Sequence, residues 1–365
     1  MRVLHFFNGF GANVVRLQRY LQSNINMGIQ PVVFCRPQAR FFGEKETGID
    51  KPWIPDMGRV PVEYYKRSHQ LTYLLPTVYD GIGLKRIFEK YSCEFVHAHN
   101  LETAFYSYHL GLPTLFDDWE YYYEYLDFPW PFDISNIGMK GIARVLLSRY
   151  FKRNRAKKIV RDLIRKIPVI VTNEEVERRY REFGASSIWW VPNVPLSYER
   201  EYAFAVSVQK RDRLTTCYIG SVSSDENSRL RNTSGIRELW EKNDIGELYV
   251  FEGKNYIPHL DVLRKVRECH FNLLYWQPLP VHRYYLQNKA FLASVVGVPT
   301  IISSSLTSTI KLLGEYALSV RSLEEIPKII KNYDHSRNYR LNPAHIWEHY
   351  QPKIKEAYKA ALELG

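Results

Sequence analysis

The stretch 287–303 constrains the fold of this 365-residue chain more than any other part of the sequence. An apolar run follows Lys289 and ends near Gly297, a residue typical of helix C-terminal caps. Pro299 cannot continue a helix, and the β-branched residues 300–302 are typical of a buried parallel strand. A buried helix, a glycine stop and an apolar strand in this order predict an α/β fold.

Hydroxyl side chains follow that strand and indicate a ligand site beside it. Ser303 and Ser304 stand at the end of the strand, and Thr307 opens the next predicted helix. In open α/β sheets, ligands lie beyond the carboxyl ends of the strands, and helix N-termini offer backbone N–H groups to anions. Together with Asn288 and Lys289, these residues predict a place where a diphosphate binds.

The beginning of the chain predicts a Rossmann-type unit. Its strand, turn, helix and second strand are expected at residues 3–7, 8–11, 12–26 and 31–35. Gly9 and Gly11 stand in the turn, but the third glycine of a dinucleotide fingerprint would fall at Val14. We therefore expect a tight loop facing a cleft rather than an NAD site.

A second unit of the same kind is predicted in the later part of the chain. Its strands are expected at residues 214–219, 248–251, 271–276 and 300–302. The first of them runs into Gly220-Ser221, the loop expected to approach a ligand. Before it, a strand at 169–172 leads to a helix at 174–183, which Asn173 caps and Gly184 ends.

Candidate polar groups also end two strands of the first unit. Alternation puts His97 and His99 on one face of a strand, with His99 at its carboxyl end. They are either a structural pair or groups that line the cleft. Asp117, Asp118 and Glu120 end the next strand. Carboxylates at such a place either contact the hydroxyl of an acceptor substrate or cap a helix.

The chain resembles glycosyltransferase family 4, the retaining GT-B enzymes, in the spacing of three residues of its donor-binding motif. These residues are Lys289, Gly297 and Pro299. The passage 169–195 is similar to the family's entry into its interdomain linker, and a helix at 347–362 is similar to the family's C-terminal helix.

This resemblance implies two Rossmann-like domains with parallel sheets facing an interdomain cleft, and a C-terminal helix that crosses back to the first domain. We expect an acceptor-side domain at 1–195, on which residues 345–365 pack. A linker is expected at 195–212, and a nucleotide-sugar-binding domain at 213–344.

The resemblance also implies roles for individual residues. Donor-binding residues are expected to be Gly9, Gly11, Gly220, Ser221, Arg229, Arg231, Tyr284, Asn288, Lys289, Ser303, Ser304 and Thr307. Lys289, helped by Arg229 or Arg231, would stabilise negative charge on the leaving diphosphate. Catalytic residues on the acceptor side are expected to be His99, Asp118 and Glu120.

Two features of the family pattern are absent from this chain. The family usually carries two glutamates eight residues apart, and Tyr284 and Leu292 stand in their places. The second glutamate normally binds the nucleotide ribose. The family also usually has a histidine where Trp119 stands. These departures keep a nucleotide-sugar epimerase and an inactive homologue open as alternatives.

Positive charge is concentrated in the stretch 139–166. It holds eleven basic residues and one acidic residue, nearly all of the chain's net charge of +11. Apolar residues recur there at three- and four-residue steps, which predicts amphipathic helices. A basic face beside the aromatic stretch 119–131 is typical of proteins that lie on anionic lipid headgroups. Membrane-facing residues are expected to be Lys140, Arg144, Arg149, Lys152, Arg153 and Lys157.

Other classes of protein are disfavoured. No apolar run reaches the roughly 18–20 residues that span a bilayer. The four cysteines are scattered, which favours neither a disulfide framework nor a zinc site, and we expect no metal and no cofactor. No nucleic-acid module is recognisable, although a basic nucleic-acid-binding or membrane-binding protein stays an alternative.

The sequence thus predicts a hexosyltransferase-like glycosyltransferase. Its expected partners are a nucleotide-sugar donor, a lipid-linked or glycolipid acceptor and an anionic membrane surface. We expect it in the cytoplasm, peripherally associated with the membrane, and expect from the resemblance that it retains the anomeric configuration.

Overall fold

The computed structural model describes residues 1–10, 14–36, 53–65, 80–119, 121, 154–220, 232–251 and 257–364. They form two compact units. Unit 1 contains the described residues up to Val191 together with those from Gln351 onward. Unit 2 contains the described residues within Pro192–Tyr350.

Unit 1 is built on a seven-stranded parallel sheet. Its strands are β1 Arg2–Phe10, β2 Gln30–Arg36, β3 Val62–Tyr64, β4 Phe95–Ala98, β5 Thr114–Asp118, β6 Val169–Val171 and β7 Ile188–Trp190. They lie in the order β3-β2-β1-β4-β5-β6-β7. Every residue of β4, β5 and β6 is buried, because helices cover both faces of such a sheet.

Two of the described helices of unit 1 begin at an asparagine that caps them. The helices of this unit are α1 Val15–Asn26, α2 Leu84–Lys90, α3 Leu101–His109, α4 at 154–164 and α5 Glu174–Glu182. The Asn100 side chain accepts a hydrogen bond from the backbone N–H of Thr103, and that of Asn173 accepts one from Val176. The prediction that Asn173 caps a helix is confirmed.

Unit 2 is built on a five-stranded parallel sheet. Its strands are β8 Thr215–Tyr218, β9 Glu247–Val250, β10 Phe271–Leu274, β11 Thr300–Ser303 and β12 Ala317–Val320, in the order β12-β11-β10-β8-β9. Its helices are α6 Ser197–Phe204, α7 Ile236–Lys242, α8 His259–Arg267, α9 Asn288–Ser294, α10 Thr307–Leu313 and α11 Ile326–Lys331.

The stretch 287–303 folds as its sequence indicates. The helix α9 is followed by Gly297, whose φ of +80° few other residues adopt, and then by the fully buried strand β11. Leu292 of α9 is 3% exposed and packs in an apolar cluster that includes Leu263 and Val298. This cluster fastens α9 to the sheet.

A last helix, α12 Gln351–Leu362, belongs to unit 1. The Tyr358 ring packs on Phe95 with centroids 5.0 Å apart, and Glu356 accepts a hydrogen bond from the Trp189 indole at 3.0 Å. The predicted α/β fold with two parallel sheets is confirmed, and the C-terminal helix belongs to the first unit as predicted.

The structure differs from the predicted elements at two places. Strand β1 continues through the predicted turn to Phe10, with an irregular register against β2 between Phe7 and Phe10. The predicted linker contains the helix α6, because Ala203 is buried and Glu199 accepts a hydrogen bond from the Leu196 N–H at the helix start. Among the helices that the structure describes, none is both long enough and apolar enough to cross a membrane.

Candidate functional site

The carboxyl ends of β8, β10 and β11 meet at one edge of the unit 2 sheet, which we name the lysine edge after Lys289. The three strands are parallel neighbours, so the loops that follow them lie side by side. Lys289 is the second residue of α9, and its side chain is half-buried. Its Nζ lies 6.0 Å from the centroid of the Tyr218 ring at the end of β8.

Gly220, two residues after β8, leaves room for the lysine. A Cβ at this position would collide with the Lys289 Nζ. The φ of Gly220 is +129°, in a region that L side chains rarely adopt. The φ favours glycine at this position, and a larger residue would also displace the flexible end of the Lys289 side chain. Gly220 and Lys289, two predicted donor-binding residues, are therefore brought together.

Other predicted donor-binding residues of this edge differ in exposure. Asn288 and Ser304 are half-buried, Thr307 is exposed and Ser303 is fully buried. Tyr284 is 4% exposed. Its hydroxyl accepts a hydrogen bond at 2.7 Å from Arg283, whose exposed guanidinium lies 4.6 Å from the Tyr284 ring centroid. Arg283 is thus a cation of this edge that the sequence reasoning missed.

A buried histidine holds the turn after β11, Ser303–Ser305, which we name the serine turn. His282 is fully buried, and its Nδ1 lies 3.1 Å from the Ser305 Oγ. The Ser305 Oγ lies 3.0 Å from the Ser303 Oγ. His282 was also missed, because no motif or spacing links it to serines more than twenty residues away.

The position of the family's second glutamate holds no ligand group in this chain. Leu292 lies inside the apolar cluster behind α9 rather than at the lysine edge. A carboxylate there would be buried without a partner, at a large cost in free energy. The chain therefore does not offer a carboxylate from this position to a nucleotide ribose.

Unit 1 has a sealed polar cluster at the matching edge of its sheet. Asp117 of β5 is fully buried and receives two hydrogen bonds from the Arg16 guanidinium, at 2.7 and 2.9 Å. Arg16 also donates to the carbonyl of Val191 at 3.1 Å. Arg16 thus connects α1 to strand β5 and to Val191, the residue at which the first segment of unit 1 ends.

Three histidines, His5, His97 and His99, lie against this ion pair; we name them the histidine cluster. His99 is 2% exposed, and its Nδ1 lies 3.2 Å from Asp117. Its Nε2 lies 2.9 Å from Nδ1 of His5, whose Nε2 lies 2.8 Å from the Asn24 amide nitrogen. Because a carboxylate can only accept, each ring donates from Nδ1 and accepts at Nε2 along this chain of contacts.

The third histidine is tied to the returning helix. Nδ1 of His97 lies 3.2 Å from the hydroxyl of Tyr358, which donates to the Asn24 side-chain oxygen at 3.1 Å. The Nε2 atom of His97 is buried and has no hydrogen-bond partner among the residues that the structure describes. The histidine cluster therefore joins α1, β1, β4, β5 and α12.

Burial sets the charge of the cluster. Burial lowers the pKa of all three histidines, so they are neutral near pH 7. Burial alone would raise the pKa of Asp117, but the Arg16 charge and hydrogen bonds from Arg16 and His99 outweigh it and lower that pKa. The Arg16–Asp117 ion pair is thus charged, whereas the three histidines beside it are neutral.

A metal ion does not fit the histidine cluster as it stands. One ring nitrogen of each histidine lies within 4.8 Å of one from each of the others. The rings of His97 and His99 are stacked, however, with centroids 4.3 Å apart and planes at 26°. Ring lone pairs lie in the plane of the ring, so those of two stacked rings do not converge on one ion.

The predicted acceptor-side residues are buried where the structure describes them. Asp118 is fully buried and accepts a hydrogen bond from the hydroxyl of Tyr180. His99 is enclosed in the histidine cluster, which favours the structural interpretation of this residue. Trp119 is half-buried, and its ring lies 6.3 Å from that of Phe7. Catalytic roles for His99 and Asp118 stay predictions.

Most of the remaining predicted site residues lie outside the part of the chain that the structure describes. Gly9 lies in β1. Outside the described residues lie Gly11, Glu120, Lys140, Arg144, Arg149, Lys152, Arg153, Ser221, Arg229 and Arg231. Lys157 is half-buried on α4. Exposed basic residues of α4 and the turn after it are Arg155, Lys158, Arg161, Arg165 and Lys166.

The fold, with its seven-stranded and five-stranded parallel sheets, matches solved structures of GT-B glycosyltransferases. A solved structure of trehalose-6-phosphate synthase OtsA matches with a TM-score of 0.57 at 8% identity, covering 100% of this chain and 97% of that one. WaaG, a glycosyltransferase involved in lipopolysaccharide biosynthesis, matches with a TM-score of 0.52 at 11% identity, covering 100% and 99%. A glycosyltransferase from Rickettsia africae matches with a TM-score of 0.57 at 9% identity, covering 99% and 98%.

At these identities the likeness concerns the fold. No protein-family model matches the chain, and no curated protein sequence matches it.

Proposed function

We propose that this chain is a glycosyltransferase that transfers a hexosyl group from a nucleotide-sugar to an acceptor, and that it is related to family 4. The observation that carries the proposal is the pairing of Lys289 with Gly220 at the lysine edge. A cation held against a glycine backbone, beyond the ends of parallel strands, suits a diphosphate. The GT-B fold of the chain supports this assignment.

In this proposal the donor binds to unit 2, and Lys289 acts on the leaving group. Transfer breaks the bond between the anomeric carbon and the diphosphate oxygen and forms one to the oxygen of an acceptor hydroxyl, whose proton is released. Negative charge therefore develops on the leaving diphosphate. An ammonium held nearby stabilises that charge, an effect typically worth 10²–10³ in rate per donor. Exposed Arg283 adds a second positive charge. No metal or cofactor takes part, and the anomeric configuration is retained.

We also propose a lipid-linked or glycolipid acceptor, with the protein peripherally bound to the cytoplasmic membrane face. The described part of α4 supports this, because Arg155, Lys158 and Arg161 are exposed on it. Each basic residue near an anionic surface contributes about 1 kcal/mol. Of the expected acceptor-side residues, Glu120 keeps this proposed role, whereas the burial of His99 and Asp118 favours a structural one.

Release of nucleoside diphosphate tests the transfer reaction. The protein is incubated with UDP-, GDP-, ADP- and CDP-sugars, with and without a lipid extract as acceptor source. We expect one donor to release its diphosphate in an acceptor-dependent manner, and NMR of the product to show a retained anomeric configuration. Absence of release with every donor, while the protein is folded, would contradict the proposal.

Vesicle sedimentation tests the membrane proposal separately. We expect binding to vesicles with 30% phosphatidylserine (about the anionic content of a charged leaflet) and weaker binding to neutral ones. The charge-reversed variant Arg155→Glu/Lys158→Glu should bind less. A control, Glu238→Lys/Glu241→Lys on α7 of unit 2, should not bind less. Equal binding to neutral and anionic vesicles, or preference for single-stranded RNA, would overturn the membrane proposal.

A second candidate is a GT-B protein that binds nucleotide-sugars without transfer, either an epimerase or an inactive homologue. Leu292 in the apolar cluster favours it, because the family's ribose-binding carboxylate is absent there. Donor binding without diphosphate release, or release of free epimerised sugar, would support this candidate over a transferase.

A further inference from the structure

We propose that His282 is a positioning residue that makes Ser305 a hydrogen-bond acceptor for a hydroxyl of the nucleotide-sugar, on either its ribose or its hexose. The inference rests on the proposed donor site in unit 2. It concerns the direction of the hydrogen bonds in the serine turn, a segment that the sequence predicted to bind an anion.

The tautomer of His282 follows from a backbone contact. The N–H of Leu279 donates to Nδ1 of His282 at 3.3 Å. A backbone amide can only donate, so Nδ1 carries a lone pair and no proton. The 3-10 turn Pro280–Tyr284 therefore fixes an imidazole with its proton on Nε2.

The direction of the serine hydrogen bonds follows from that tautomer. Because Nδ1 of His282 can only accept, the hydroxyl of Ser305 donates to it over 3.1 Å and shares the Nδ1 lone pair with the Leu279 N–H. Ser305 has spent its one proton, so the hydroxyl of Ser303 donates to the Ser305 oxygen over 3.0 Å. The two contacts thus run in one direction, from Ser303 through Ser305 to His282.

This polarity selects the chemistry of the ligand group. A hydroxyl oxygen has two lone pairs, and Ser303 uses one of those on Ser305. The other can accept from a ligand, and Ser305 is half-buried rather than sealed. A phosphate oxygen has no proton to donate, whereas ribose and hexose hydroxyls do. The serine turn therefore suits a sugar hydroxyl better than a phosphate.

Contacts connect the serine turn to the lysine. The His282 ring lies 5.3 Å from that of Trp276, whose indole N–H donates to the Tyr218 hydroxyl at 3.4 Å. The Tyr218 ring in turn lies 6.0 Å from the Lys289 Nζ. An acceptor for hydroxyls and a cation for phosphates thus share one edge of the sheet, which matches the two halves of a sugar nucleotide.

Two amide substitutions separate hydrogen bonding from packing. In His282→Asn, the amide oxygen can occupy the place of Nδ1 and accept from Leu279 and Ser305. In His282→Gln, the amide lies one bond further out and cannot replace Nδ1 there. Ser305→Ala removes the acceptor itself. His349→Gln, an exposed histidine of the same unit, is the control.

Calorimetry on the full chain measures the effect. The nucleoside diphosphate that binds best is compared with its 2′-deoxy and 3′-deoxy forms, and its nucleotide-sugar with deoxy-sugar analogues. Inorganic pyrophosphate is the ligand without hydroxyls. We expect one hydroxyl, of the ribose or of the hexose, to contribute about tenfold in Kd in the wild type, as a well-made neutral hydrogen bond does.

The pattern across variants decides the outcome. We expect the tenfold preference to persist in His282→Asn and His349→Gln and to vanish in His282→Gln and Ser305→Ala, with pyrophosphate affinity unchanged in all four. The inference is overturned if the Asn and Gln variants behave alike, or if pyrophosphate loses as much affinity as the hydroxyl-bearing ligands. If the folded wild type binds no nucleotide, the proposed function fails first and the inference fails with it.

Discussion

The two sheets of this protein carry polar side chains at corresponding edges and use them differently. In unit 1, Asp117 and the histidine cluster are 0–2% exposed, and their charges and ring nitrogens are largely matched by protein groups. In unit 2, Lys289 is half-buried and Arg283 exposed. A polar residue at the carboxyl edge of a parallel sheet is therefore not a ligand site by position alone. Burial and partners decide between a structural role and a binding role.

The largest effect is expected from breaking the sealed edge. Arg16→Ala leaves the Asp117 carboxylate buried without its cation, which typically costs about 3–5 kcal/mol. Hydrogen exchange of the β4 and β5 amides measures the loss of unit 1 stability. Replacing both partners by apolar residues, Arg16→Met/Asp117→Leu, should recover much of it.

An exposed pair provides the contrast to Arg16. Arg181→Ala removes a surface ion pair with Glu177 and should cost less than about 1 kcal/mol. Equal losses for Arg16→Ala and Arg181→Ala would show that the unit 1 edge is not sealed as described.

Removing the cation of the lysine edge should affect activity and leave stability intact. Lys289→Ala is expected to lower kcat by about 10²–10³-fold, because the leaving diphosphate loses its stabilising charge. The thermal unfolding midpoint should change little, because a half-buried lysine contributes little to the core. Lys328→Ala, an exposed lysine of α11, is the control for activity. Wild-type turnover in Lys289→Ala removes the proposed mechanism.

Acid should destabilise unit 1 through its histidines. Their pKa values lie below the ordinary 6.5 in the folded protein, so the unfolded chain binds more protons as the pH falls below about 6.5. The lowered pKa of Asp117 acts in the same direction at lower pH. Stability is thus fully present above about pH 6.5 and declines below it, by about 1.4 kcal/mol per pH unit for each histidine kept neutral.

Unfolding of unit 1 at several pH values measures that slope. His97→Gln should reduce it by the share of one histidine, whereas His109→Gln, exposed and outside the cluster, should keep it. A stability of unit 1 that is flat between pH 7.5 and 5.5 (roughly one unit either side of the histidine value) would contradict the buried neutral cluster.

The smallest effect tests the room that Gly220 leaves for the lysine. Gly220→Ala places a methyl group against the Lys289 Nζ and should weaken diphosphate binding several-fold. Gly297→Ala also places a side chain at a positive φ, here +80°, with nothing within 4 Å of the new Cβ. Both variants should lose about 1 kcal/mol or more of stability, and only the first should lose affinity. Equal diphosphate affinities of the two variants would show that Gly220 is not part of the binding site.

Local signals in the sequence predicted most of the fold. Apolar runs located the buried strands, Asn173 marked a helix start, and Gly297 with Pro299 marked the passage from α9 to β11. These features act between neighbours in the chain, so a single sequence carries them. The extension of β1 to Phe10 was missed because Gly9 and Asn8 have turn-like composition while the pairing with β2 overrides it.

The partners within the sites were not predictable in the same way. Arg16 and Asp117 are 101 residues apart, and His5 and His99 are 94 apart. No local sequence feature identifies such pairs, because every arginine in the sequence could in principle pair with every aspartate. The sequence did bring Lys289 and Gly220 into one predicted site, because parallel strands place their following loops at a common edge.

The return of α12 to unit 1 has a consequence for synthesis of the chain. The hydroxyl of Tyr358 completes the contacts of Asn24 and His97, yet it is made only after all of unit 2. Domains usually fold from the N-terminus as they leave the ribosome. Here the sheet of unit 1 is synthesised first, but the helix α12 that packs on it is synthesised last. The strands of the unit 2 sheet, in contrast, lie in one continuous stretch of the chain. Unit 2 can therefore finish folding before α12 packs on unit 1.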